Sequence, residues 1–131
     1  GTQLAVLEGH SVPLTGITVT PLYQGIATAD AKGCIRLWET QTYRCYGMLE
    51  AHTQSITAIR QVMGGRYIAT SSLDGALRLW DTSTGDERAS LLVRSKITSL
   101  DCAEDGSSFL VGCANGDVLV LKLMGRDVTL S

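Results

Sequence analysis

His52, Asp74 and a hydroxyl at Thr70 or Ser72 are the residue types of a nucleophile relay. An oxygen would attack, the imidazole would take its proton and the carboxylate would hold the imidazole in place. Acyl or ester hydrolysis is the chemistry such a set would perform. His10 and His52 are the two histidines in 131 residues, so any acid–base or His-ligated metal chemistry must run through one of them. Cys34, Cys45, Cys102 and Cys113 form no C-x-x-C pair and lack the spacing of a zinc site. Each lies in or beside an apolar run, where a thiol behaves as a small hydrophobe. Free, buried or half-buried thiols in a reducing compartment are expected. No phosphate-binding glycine loop occurs, and "AEDG" (Ala103–Gly106) reads as ordinary turn acids. No metal site and no cofactor are expected.

Whatever the histidines do, strands must position them. The second copy of a repeated pattern contains four short β-prone runs: Ile56–Ile59, Arg66–Ser71, Ala76–Trp80 and Arg88–Val93. "MGG", "LDG" and "DTSTGDE" separate them, and all three are turn chemistries. Four antiparallel strands make one small sheet, and no stretch holds a 3.6-residue period, so the chain is expected to be all-β with almost no helix. The first copy lies 42 residues earlier. "VLEGH" (Val6–His10) matches "MLEAH" (Met48–His52), "GIAT" (Gly25–Thr28) matches "YIAT" (Tyr67–Thr70), and Trp38 matches Trp80. A worn third copy, "FLVGCANGDVLVLKL" (Phe109–Leu123), follows at 41 with Asn115 in place of Asp74 and Leu121 in place of Trp80. Self-similarity at this period marks a stacked or radial repeat.

Composition narrows the function. Apolar residues at 44% with 18% charged residues support a packed domain. A formal charge of −2, scattered basic residues and few aromatics argue against a nucleic-acid partner. No apolar run is long enough for a membrane span, and no membrane partner is expected.

The order Gly9-His10 (Ala51-His52), turn Asp74, then Trp80-Asp81 (Trp38-Glu39) resembles the WD40 repeat. The resemblance covers about three repeats, the third degenerate. It implies β-propeller blades of four antiparallel strands, a partial propeller of about three blades. Residues 1–10 would be the outer strand of a preceding blade plus the GH turn. Blade one would span 11–52, blade two 53–93 and the degenerate third 94–131. The resemblance also implies that His52, Asp74, Thr70 and Trp80 form a structural tetrad. Its hydroxyl would be held under the indole and so could not attack a substrate. In the first copy His10, Thr28 and Trp38 take these places, but Lys32 stands where Asp74 does. Replacing Lys32 by Asp should then restore a hydrogen bond worth about 1 kcal/mol. Parts that decay copy by copy behave as packing devices, so no catalytic residue is expected.

A WD40 blade would turn three positions toward a partner-binding rim. By position these are Pro13, Thr15 and Ala31, then Ser55, Thr57 and Leu73, then Lys96, Thr98 and Ala114. The expected function is a non-enzymatic scaffold for a protein or peptide partner inside the cell, in cytoplasm or nucleus. One alternative is the sensory propeller segment of a larger nucleotide-binding oligomerising signalling ATPase, and a weaker one is a propeller-based hydrolase. Three blades do not close a ring. The remaining blades must come from the same parent chain or from a second copy, joined head to tail into six blades. In that dimer Thr2–Glu8 would pair beside Asp117–Leu123 of the partner, with the tail Asp127–Ser131 competing for the edge. On either route the isolated chain should not be a stable monomer.

Overall fold

A computed structural model describes residues 4–122. Among these residues eleven strands fall into three antiparallel sheets. The first holds β1 (Leu14–Thr20), β2 (Gly25–Asp30), β3 (Cys34–Glu39) and β4 (Cys45–Glu50), in that order. The second repeats it with β5 (Ile56–Val62), β6 (Tyr67–Ser72), β7 (Ala76–Asp81) and β8 (Glu87–Leu92). The third contains β9 (Ile97–Cys102), β10 (Ser108–Cys113) and β11 (Val118–Lys122). The competing tail 127–131 lies outside the described residues. Residues 4–10 are assigned no strand. Among the described residues helix is limited to single 3-10 turns at Pro21–Tyr23 and Met63–Gly65.

The core lies between sheets. Ala27, Ala29, Ile35 and Leu37 of the first sheet meet Ile56, Ile59, Ile68 and Trp80 of the second. The opposite face of the second sheet, with Tyr67, Ala69, Leu77 and Leu79, meets Ile97, Leu100, Phe109, Val111 and Leu121 of the third. Alternation along each strand sends successive side chains to opposite faces, so one sheet contributes to two cores. The worn third copy keeps this packing: Phe109 and Leu121 fill the places of Ile68 and Trp80 with apolar volume.

The turn between the second and third strands fixes how one sheet leads to the next. Gly33 has φ +90°, and a Cβ there would lie 2.1 Å from the His52 carbonyl oxygen. Only glycine fits. The amides of Ala51 and His52 donate to the Gly33 carbonyl at 3.0 Å, and that of Val93 donates to Gly75 at 2.8 Å. The chain leaving an outer strand is thereby tied to its own sheet before it enters the following one.

Each innermost strand carries a bulge. The register steps from Leu14 to Gly16, from Ile56 to Ala58 and, opposite Gly112 and Cys113, from Ile97 to Ser99. The skipped residues are Thr15, Thr57 and Thr98. A bulge re-aims the side chain of the extra residue.

Candidate functional site

In the second sheet His52 lies between Asp74 and Thr70. Its Nδ1 is 3.1 Å from Asp74 Oδ2, and its Nε2 is 2.8 Å from Thr70 Oγ1. Trp80 Nε1–H donates to the same Thr70 oxygen at 3.1 Å. Burial lowers the pKa of His52, with Asp74 opposing. For Asp74, burial works against the charge but is outweighed by the amides of Ala76 and Thr53 and by His52, so its pKa is lowered. A neutral imidazole beside a carboxylate donates from Nδ1 and accepts the Thr70 hydroxyl proton at Nε2.

Hydroxyl, imidazole and carboxylate therefore stand in the order of a catalytic relay, yet Thr70 is 0% exposed. A groove of about 360 Å³ runs over Glu50, His52, Asp74, Arg78, Trp80 and Glu87 but does not reach Thr70. Of the ionisable groups along it, His52 is engaged with Asp74 and Arg78 with Glu87.

The first sheet builds the same chain with one substitution that the alignment misses. His10 Nε2 bonds to Thr28 Oγ1, and Trp38 Nε1–H donates to Thr28 at 2.9 Å. The carboxylate is not at position 32. Asp30, two residues earlier, takes His10 Nδ1 at 2.7 Å and accepts the amides of Lys32 and Cys34 at 2.9 and 3.0 Å. Lys32 is exposed. The acid that seemed missing from this copy comes from the strand end rather than from the turn. Its signal was present in the sequence as an aspartate within hydrogen-bonding reach of the same turn.

The nine rim positions gather at one end of the three sheets. Ala31 N donates to Pro13 O at 3.1 Å, Leu73 N to Ser55 O at 3.1 Å and Ala114 N to Lys96 O at 2.9 Å. Pro13, Thr15, Lys96, Thr98 and Ala114 are exposed; Ala31, Ser55, Thr57 and Leu73 are half-buried. Two of the threonine hydroxyls bond within the protein. Thr57 Oγ1 donates to Ile97 O at 3.0 Å and lies 2.9 Å from Ser71 Oγ, while Thr98 Oγ1 donates to Gly112 O at 3.2 Å.

Glu104, read from the sequence as an ordinary turn acid, ties the third sheet to the second. It accepts from Gln61 Nε2 at 2.7 Å and from Gly64 N at 3.0 Å, and its carbonyl accepts from Met63 N at 2.7 Å. The sequence shows only that it stands 41 residues after Met63.

All four cysteines are free thiols. Cys45 departs from the expected burial and is exposed, because the outer strand β4 has solvent on one side. Burial pushes the Cys102 thiol up to about 11 and raises that of Cys34, so neither is a ready thiolate. Among the described residues no group of three or more His, Cys, Asp or Glu could hold a metal, and no helix is long and apolar enough to cross a membrane.

Four-stranded antiparallel sheets packed face to face, each starting from an innermost strand, are the blades of a β-propeller. The sequence matches the family described as WD domain, G-beta repeat, over residues 1–39 and 43–81, and the chain belongs to the WD40-repeat family. The third copy lies outside those matches. The β-propeller domain of Cps50 (Swd1) from Myceliophteria thermophila has a TM-score of 0.77 at 16% identity. The match covers 86% of this chain and 36% of that one, and at this identity it speaks for the fold alone. No curated protein matches the chain.

Proposed function

We propose that this chain is a non-enzymatic scaffold inside the cell, presenting the rim from Pro13 to Ala114 to a protein or peptide partner. The carrying observation is the backbone pairing at that rim. In each sheet the residue entering the inner strand bonds to the residue before the turn, so equivalent positions line up along one edge. The two hydrogen-bonded chains serve packing: Thr70 accepts from Trp80 and has no exposed surface to offer a substrate. Leu73 supplies the apolar contact and Lys96 the charge. Thr57 contributes by shaping the edge, since its hydroxyl bridges two blades.

The outer faces of the wedge support completion by further blades. Leu14 and Ile17 are 52% and 63% exposed, although Ile56 and Ile59 at the same repeat positions are buried in the core. Those blades belong to the parent chain or to a second copy. Sedimentation of the 131 residues is expected to show self-association, and a monodisperse monomer of 14.0 kDa would refute it. For the rim, proximity labelling in cells is compared between the native chain and a Leu73→Glu, Lys96→Glu double variant. Loss of labelled partners at an unchanged melting temperature supports the reading. An unchanged set of partners overturns it.

A further inference from the structure

Two opposite charges on blade one share a groove without pairing. Lys32, in the turn between β2 and β3, and Glu50, the last residue of β4, line a cavity of about 340 Å³ with Gly33, Cys34, Met48 and His52. Both are exposed, and among the described residues neither side chain makes a hydrogen bond or an ion pair. Their backbones are nevertheless fixed. The Lys32 amide donates to Asp30 Oδ1 at 2.9 Å, and Glu50 lies opposite Cys34 in the sheet register.

The neighbouring charges are engaged elsewhere. Asp30 is taken by His10 and Asp74 by His52, and Arg78 pairs with Glu87. Arg36 lies two residues past Cys34 on the same face, but its Nη1 is 3.7 Å from Cys45 Sγ, and a Cβ at Gly9 would be 2.9 Å from its Cζ. Blade two has Asp74 and Leu92 at the 42-residue offset from Lys32 and Glu50, so the fold needs neither charge. A further blade would not cover Glu50. Ile35 and Leu49 pack toward blade two, so Cys34 and Glu50 lie on the opposite face. In blade two that same face meets blade one, and Leu92 remains 72% exposed on it.

The rest of the lining is uncharged. Burial keeps the Cys34 thiol protonated and His52 neutral, and Met48 is 54% exposed. A methionine adapts to apolar side chains of varied shape. One exposed ion pair contributes little. A ligand that meets both charges gains more, because the first contact makes the second intramolecular. Charge complementarity then selects an occupant with an anion for Lys32, a cation for Glu50 and an apolar group for Met48. We propose that the groove binds a segment of a partner protein carrying an acidic, an apolar and a basic side chain in close succession. The groove adjoins the rim at Ala31 but includes none of the nine rim positions, so it stands apart from the reading of the rim.

The test is fluorescence anisotropy of the 131-residue chain with a labelled heptapeptide, Ser-Gly-Glu-Leu-Lys-Gly-Ser, and a control in which glutamine replaces both charged residues. At about 20 mM salt, where exposed charges are weakly screened, saturable binding below about 5 mM is expected, with the control about tenfold weaker. Lys32→Gln and Glu50→Gln should each weaken binding about threefold, and the melting temperature of Glu50→Gln should not change. Glu50→Lys should shift the charge preference, so that a Glu-Leu-Glu peptide binds more tightly than Glu-Leu-Lys. Absence of saturable binding, a control that binds equally, or a Glu50→Lys variant with the native preference would each overturn the proposal. So would a lower melting temperature in Glu50→Gln, which would show the carboxylate engaged within the fold. Displacement of the peptide by free leucine at equal concentration would overturn it in favour of a small zwitterion. Loss of binding in Leu73→Glu would overturn it by moving the contact to the rim.

Discussion

Blades one and two satisfy the same hydrogen-bond donors with different residues. In blade two the work is divided: Ser72 Oγ accepts the Asp74 amide at 3.1 Å, while Asp74 accepts the Ala76 amide at 2.8 Å and holds His52. In blade one Asp30, at the Ser72 position, takes the equivalent amides of Lys32 and Cys34 and also holds His10. What repeats is a set of buried donors that need an acceptor, and not a column of residues. A carboxylate has two oxygens and can serve three donors, so one aspartate in a slightly different place replaces a serine and an aspartate.

The comparison is strained most by removing the indoles. Trp80→Ala should destabilise by about 3–5 kcal/mol, as truncation of a buried large aromatic does. The cost should exceed that of Trp38→Ala, because Trp80 belongs to the core between two sheets. Equal costs in urea unfolding would mean that the two indoles are equivalently packed. Next come the acids. Asp30→Ala leaves His10 and two amides without an acceptor and should cost about 3 kcal/mol, a high value for lost buried hydrogen bonds. Asp74→Ala leaves His52 and the amides of Ala76 and Thr53 without an acceptor and should cost a similar amount, about 3 kcal/mol. Costs that differ by more than about 1 kcal/mol in denaturant melts would break this equivalence.

Acid is expected to act on blade two in two stages. The pKa of His52 is lowered from 6.5 by burial, so the unfolded chain binds that proton more readily than the folded one. Its contribution is complete above pH 6.5 and is lost as pH falls below it. Asp74 and Asp81, whose pKa values are also lowered, add a second loss below about 3.8, as Asp30 does in blade one. Melting temperatures that stay flat from pH 7 to 5 would contradict the first stage. The smallest effect concerns Lys32→Asp. Read from the alignment it repairs blade one; beside an ionised Asp30 it places a second negative charge and should destabilise by roughly a few tenths of a kcal/mol. A stabilised variant would show that position 32 is where the acid belongs.

Much of this architecture was legible from spacing. The 42-residue offset, the turn glycines and the alternation of β6 and β7 set out the second blade, and the first followed by superposition. In the inner strand the apolar run Ile56–Ile59 is extended to Val62, because pairing with β6 continues past the last aliphatic pair. Asp30 was overlooked for a physical reason. An alignment compares Cα positions, whereas a hydrogen bond depends on where side-chain oxygens end up. Glu104 was illegible because its partners, Gln61 and Gly64, belong to another blade. The exposure of Cys45 was missed because an outer strand meets solvent on a side that local hydropathy does not mark.

His52 belongs to two blades at once, its amide bonded to Gly33 of the first and its imidazole to Asp74 of the second. Blade two is also covered on both faces, by the first sheet on one side and the third on the other. Local openings therefore differ in free energy along the chain. Amides of β6 and β7 should exchange with deuterium only through cooperative opening of the whole stack, while those of β1 and β11 exchange through fraying at the ends. The middle blade thus works as a keystone, and the clock of hydrogen exchange should run slowest there.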